Sequence, residues 1–178
     1  MDKIIFLDID GVLATEFKKL MHDDRPEFEE TTTKVFNRIL KEVPEALIVI
    51  SSTWRLGGQT PENSLKEMKE VFIQRGIDPR RVIGVTPIIN SKYSTNFSGC
   101  CEGKETKLYP TRHHNTPRGL EIDAWLSSHY NYDEKISYVI IDDDSDMLCC
   151  QKDHFVHVNN DHGLTSEDAD RAINILNL

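Results

Sequence analysis

The sequence has no apolar run near the roughly 20 residues needed to cross a bilayer. Its uninterrupted apolar stretches, such as Ile4 to Leu7 and Leu47 to Ile50, are only strand-sized. A secretory leader is not expected either, because Asp8 and Asp10 interrupt the first apolar run almost at once. The expectation is a cytoplasmic protein with no membrane association and no obligate protein partner. Cysteine is scarce: there are four, in two adjacent pairs, Cys100-Cys101 and Cys149-Cys150. Neighbouring cysteines are poor partners for each other, so a disulfide framework is excluded and reduced thiols are expected. Cys100 and Cys101 with His113 and His114 also lack any usual zinc spacing. Positive charge is in deficit, with 21 Lys and Arg against 30 Asp and Glu, a formal charge of -9. That balance excludes a broad basic face for nucleic acid. One stretch runs the other way: Lys104, Lys107, Arg112 and Arg118 face only Glu105 between residues 104 and 118.

No internal repeat or low-complexity tract is present, and apolar strands alternate with amphipathic helices along most of the chain. Strands are predicted at Lys3 to Leu7, Ala46 to Ile50, Val82 to Val85, Ile136 to Ile141 and Phe155 to Val158. Thr31 to Val43 reads as a helix, because Val35, Phe36, Ile39, Leu40 and Val43 fall on one face. Thr60-Pro61 marks the start of a second helix and Gly76 its stop. Gly119 to His129 is a third helix, and Thr165 with Asp168 forms a capping box for a fourth through Leu176. This order predicts an α/β, Rossmann-like three-layer sandwich with a mainly parallel sheet and right-handed crossovers. Residues 1 to 178 are read as one domain. A small cap or lid insertion is expected at about 87–117, where Pro87, Gly99, Gly103 and Pro110 break a polar stretch.

The ends of the strands carry the chemistry. The first strand runs into Asp8-Ile9-Asp10-Gly11-Val12, the second into Ser51-Ser52-Thr53, and the fourth into Asp142-Asp143-Asp144-Ser145-Asp146. A parallel sheet brings such ends to one edge, where open α/β folds place their ligands. So many carboxylates repel unless a cation joins them, and an all-oxygen donor set with water and phosphate suits Mg²⁺. A carboxylate so screened can act as a nucleophile and split one displacement into two. Asp8 and Asp10 are two apart in extended chain and lean the same way, so one can attack while the other moves a proton.

These residues resemble the haloacid dehalogenase (HAD) superfamily of phosphatases. Its Asp-x-Asp-Gly-x motif matches Asp8 to Val12, and its Ser or Thr after the next core strand matches Ser51 or Ser52. Its Lys or Arg at a helix start matches Arg118, with Lys104 and Lys107 close enough to compete. Its acidic pair after an apolar strand is met by Asp142 with Asp143 or Asp146. The Ser-Ser-Thr-Trp-Arg string and the small size look like the HAD phosphatase domains associated with RNA repair. The resemblance implies a Mg²⁺-dependent phosphomonoester hydrolase that passes through an aspartyl-phosphate on Asp8. It makes Asp8, Asp10, Ser51 and Arg118 catalytic, and Asp8, Asp10, Asp142, Asp143 and Asp146 the metal-side acids. Ser52, Arg55, Lys104 and Lys107 are the expected substrate contacts. The substrate would be a phosphorylated small molecule, a nucleotide or a nucleic-acid terminal phosphate. Two other readings stay open, a phosphotransferase using the same intermediate and a receiver-like domain phosphorylated on aspartate.

Overall fold

The computed structural model describes residues 1–15, 28–57, 60–89, 116–131 and 134–178. Its centre is a five-stranded sheet of β1 (Asp2–Leu7), β2 (Leu47–Ile50), β3 (Val82–Val85), β4 (Ile136–Asp142) and β5 (Phe155–His157). The strand order is β3-β2-β1-β4-β5, and every pair is parallel. The chain winds outward from β1 through β2 to β3, then crosses back to lay β4 on the other side of β1. The strand order reverses between β1 and β4, which is where an open sheet of this kind has its crevice.

The strands are apolar on both faces because helices cover both. Alternate residues of β1 separate cleanly. Ile5 and Leu7 join a core with Ile48, Ile50, Val139 and Ile141. On that side lie α1 (Glu30–Glu42), α2 (Pro61–Gln74) and α4 (Ser166–Leu176), burying Phe36, Ile39, Met68, Phe72, Ala172 and Leu176. Ile4 and Phe6 turn to the opposite face with Val49 and Ile140, under Ile122 and Trp125 of α3 (Arg118–His129). Phe6 meets Trp125 and Tyr138 edge-on, with centroids 5.4 and 6.0 Å away. Such pairs add roughly 0.5–1.5 kcal/mol beyond the area they bury.

All five expected strands and four expected helices are present, with ends moved by a residue or so. Strand β4 runs on to Asp142 because the ladder continues there: the Val158 N–H donates to the Asp142 carbonyl at 2.9 Å. Thr60 accepts the Asn63 N–H at 3.3 Å and caps α2. Thr165 and Asp168 exchange backbone bonds as a capping box for α4. The insertion expected at about 87–117 lies outside the described residues, except for 87–89 and 116–117. Lys104, Lys107, Cys100, Cys101, His113 and His114 are also outside them. Among the described residues no helix is long and apolar enough to cross a membrane.

One close approach fixes α3 against the sheet. A Cβ on Gly119 would stand 2.5 Å from the Leu148 amide nitrogen and 2.6 Å from Gln151 Oε1. Gln151 is itself committed there, donating to the Gly119 carbonyl and accepting the Leu148 N–H, both at 2.9 Å. The backbone of the segment after β4 therefore touches the first turn of α3, and only glycine leaves room. Gly119→Ala should lower stability by about 1–3 kcal/mol, whereas Gly57→Ala, at an ordinary φ of -64°, should be near neutral. Thermal melts of the two variants check this, and equal melting points would contradict the close contact.

Candidate active site

The hydrogen-bond ladder runs one residue past the apolar strands. The Asp8 N–H donates to the Ile141 carbonyl at 3.0 Å, and the Ser51 N–H to the Leu7 carbonyl at 2.8 Å. The Thr86 N–H donates to the Ile50 carbonyl at 2.9 Å. Register therefore sets Thr86, Ser51, Asp8 and Asp142 in one row across β3, β2, β1 and β4. By the period of two, all four side chains share the face of Phe6 and Val49, the face that α3 covers. Sequence had pointed to three members of this row; Thr86, the residue directly after β3, was missed.

Beyond Asp8 the chain reverses in a tight loop. The Leu13 and Ala14 N–H groups both reach the Ile9 carbonyl at 2.9 Å, and the Gly11 N–H reaches the Ala14 carbonyl at 2.7 Å. Gly11 has φ 73°, and a Cβ on it would collide with the Asp143 carboxylate. The glycine thus lets Asp143 pack directly on the loop. Oxygens of Asp8, Asp142 and Asp143 lie within 4.8 Å of one another. Asp8 and Asp142 are buried, and Asp143 is half-buried. The Asp144 N–H holds Asp142 Oδ1 at 2.9 Å, which orients its other oxygen toward Arg118 Nε, 3.7 Å away.

Buried carboxylates this close cannot all be charged at low cost. Burial pushes the Asp8 carboxyl up to about 7, against the lowering pull of Arg118 and of a hydrogen bond from Ser52. Asp142 is raised well above the ordinary range, first by burial and then by the charge of Asp8. Asp143 is raised by partial burial and by Asp144. Asp8 Oδ1 and Asp142 Oδ2 are buried without a hydrogen-bond partner. A donor set of carboxylate oxygens, two of them unpartnered, fits a hard divalent cation.

The remaining expected residues fall into three settings. Ser51 is fully buried with its hydroxyl unpartnered, in line with Asp8. Ser52 turns its hydroxyl to Asp8 and also accepts the Trp54 N–H at 3.4 Å. Asp146 stands outside the acidic trio: its Oδ2 accepts the Arg118 N–H at 2.9 Å and caps α3, which has no cap from Pro117. Arg55 lies behind the site. It is 5% exposed and donates to the carbonyls of Ser52 and Thr86 at 2.7 and 3.1 Å and to the Glu121 carboxylate. Glu121 also stands 3.9 Å from Arg118. Burial raises its carboxyl, while Arg55 and Arg118 oppose that rise. Its place three residues after Arg118 on one helix was the available signal for this contact.

Asp10 is also outside the trio. Its Oδ2 accepts the indole N–H of Trp54 at 3.0 Å. Composition gives no reason to expect a tryptophan at this position. The clue was its spacing, two residues after Ser52 as Asp10 is two after Asp8.

A carboxyl whose pKa is higher in the folded than the unfolded chain binds its proton more tightly when folded. For Asp8 this means that stability falls as pH rises from the ordinary 3.8 toward about 7, and levels off above. In chelator, Asp8→Asn should therefore melt near wild type at pH 4 and several degrees higher at pH 8. A variant melting at or below wild type at pH 8 would contradict the buried repulsion.

Residues 4–169 match the family described as the HAD domain in Swiss Army Knife RNA repair proteins, leaving only residues 1–3 and 170–178 outside. No curated protein and no solved structure matches the chain. HAD domains are in general phosphatase-type hydrolases, and the sheet order, the Asp8-x-Asp10-Gly11 loop and the acids after β4 are in keeping with that. With nearly its whole length matched, the chain belongs to the family of HAD domains of Swiss Army Knife RNA repair proteins.

Proposed function

We propose that this protein is a Mg²⁺-dependent phosphomonoester hydrolase that works through an aspartyl-phosphate on Asp8 and acts on the phosphorylated ends of nucleic acid. The observation that carries the reading is the row of Ser51, Asp8 and Asp142 with Arg118 beside it. A nucleophile, an unpartnered hydroxyl, an acidic trio and a guanidinium converge at the edge where β1 and β4 part.

Asp8, Asp142 and Asp143 would hold the cation. When bound, Mg²⁺ supplies charge neutralisation for the carboxylates and for the phosphoryl oxygens. The chain's own groups do the rest. Ser51 donates to one phosphoryl oxygen, and Arg118, already aimed at Asp142, neutralises another. The Asp8 carboxylate attacks phosphorus and the bond to the leaving oxygen breaks, while Asp10 gives that oxygen its proton. Water then attacks the same phosphorus and loses a proton to Asp10, and the Asp8–phosphate bond breaks to release phosphate. Positioning and charge account for most of the rate in such chemistry. Arg55 fits a supporting role better than substrate contact, since its donors already hold Ser52, Thr86 and Glu121.

The presence of Asp10, fixed by Trp54 beside the nucleophile's loop, favours turnover over a receiver-like phospho-switch, which needs no acid/base. Family membership supports RNA ends as the substrate class. Lys104 and Lys107 remain proposed contacts for the non-reacting part of that substrate.

Asp8→Asn should lose phosphate release by a factor on the order of 10³ or more while keeping its fold, since nucleophile and metal-side oxygen go together. Wild-type-like release from the folded variant, or full activity in chelator, would remove the covalent, metal-assisted reading. A panel of 5′- and 3′-phosphorylated oligoribonucleotides beside small monoesters should show kcat/KM higher for an RNA end, and charge reversal at Lys104 and Lys107 should reduce it most at low salt. Better hydrolysis of small monoesters would refute the nucleic-acid assignment alone.

A further inference from the structure

The hydrogen bond between Trp54 and Asp10 is unusual in its choice of donor. An indole N–H can donate and can never accept. At 3.0 Å from Asp10 Oδ2, it makes that oxygen an acceptor. A proton placed on Oδ2 would turn a charge-assisted acceptor into a hydroxyl and weaken the bond. The other oxygen carries no such restriction.

The indole is also held in place. Its ring packs on Phe28 at 5.7 Å with the planes at 50°, and Phe28 packs edge-on against Phe72 at 5.7 Å. Phe28 is 4% exposed and Phe72 is fully buried, so the stack is anchored in the main core. The backbone is fixed at the other end, where the Trp54 N–H meets the Ser52 hydroxyl that also serves Asp8. One short turn after β2 therefore addresses both carboxylates: Ser52 reaches Asp8, and two residues on Trp54 reaches Asp10.

We propose that Trp54 is the positioning residue for Asp10, pinning Oδ2 so that Oδ1 is the oxygen that gives the proton to the leaving group and takes it back from water. The inference rests on the hydrolase reading above and adds to it which oxygen acts and what holds it. It also predicts a pattern that a merely structural tryptophan does not give. Positioning of an acid matters for a poor leaving group, which must be protonated as it departs. It matters little for 4-nitrophenolate, which leaves as an anion.

The test uses the whole chain in Mg²⁺ with two variants: Trp54→Phe, and Trp54 replaced by benzothienylalanine, which keeps the bicyclic shape and lacks only the N–H. Both should lose kcat/KM on an alkyl phosphate by on the order of 10-fold to 100-fold, with kcat/KM on 4-nitrophenyl phosphate close to wild type, since kcat/KM reports the first displacement and not the water step that Asp10 also serves. Equal losses of kcat/KM on the two esters, or no loss from the benzothienyl variant, would overturn the proposal. Failure of the hydrolase reading is seen separately, as wild-type protein that releases no phosphate from either ester. A second measurement needs no turnover. The chain has two tryptophans, so the Trp54 indole N–H signal is identified by its loss in Trp54→Phe. In Asp10→Ala that signal should move upfield as the carboxylate is removed, and an unmoved signal would overturn the proposal.

Discussion

The structure is organised around a repulsion. Asp8 and Asp142 occupy neighbouring strands at one level of the sheet, both nearly buried, with Asp143 beside them. Two such charges in a poorly hydrated setting are costly, and the surroundings show how that cost is met. The Arg118 guanidinium lies against Asp142, the Asp144 N–H takes one of its oxygens, and Ser52 attends Asp8. Asp8 Oδ1 and Asp142 Oδ2 still lack a hydrogen-bond donor, and carboxylate oxygens of Asp8, Asp142 and Asp143 lie within 4.8 Å of one another.

The fold explains why the charges can be held there at all. Four apolar strands provide a stiff platform whose backbone ladder continues through Asp8, Ser51 and Thr86. Helix α3 then brings Arg118 over the platform, and its approach depends on the missing side chain of Gly119. The end of β4 and the segment after it do two jobs within five residues: Asp142 faces the site and Asp146 caps α3. Behind this, the buried Arg55–Glu121 pair ties the turn after β2 to α3. Each group around Asp8 is thus supported by another that does not touch it.

Much of this was legible from the chain. Among the described residues, periodicity located every strand and α-helix to within a residue or so, because uninterrupted apolar runs bounded by glycine, proline and capping residues leave few alternatives. Motif order gave Asp8, Ser51 and Asp142 their common edge, since parallel strands must end together. Legibility stopped where side chains choose partners in space. Nothing in the sequence distinguishes Asp143 from Asp146, yet Gly11 seats one on the β1 loop while the Arg118 N–H draws the other to a helix end. Arg55 was an expected substrate contact, and its guanidinium is held by the carbonyls of Ser52 and Thr86 and by Glu121. Trp54 divides its side chain between two tasks, the ring packing on Phe28 and the N–H serving Asp10.

The 3.7 Å separation of Arg118 and Asp142 has a thermodynamic consequence. In the proposed reaction the guanidinium is at once the internal counter-ion of Asp142 and a contact for the phosphoryl anion. A cation on the trio would take over the first duty and release Arg118 for the second. An anion on Arg118 likewise weakens its hold on Asp142 and frees that carboxylate for a cation. Under that reading the two binding events would favour each other, and by the same factor in both directions, as reciprocity of linkage requires. Each ion would then bind more tightly in the presence of the other than alone.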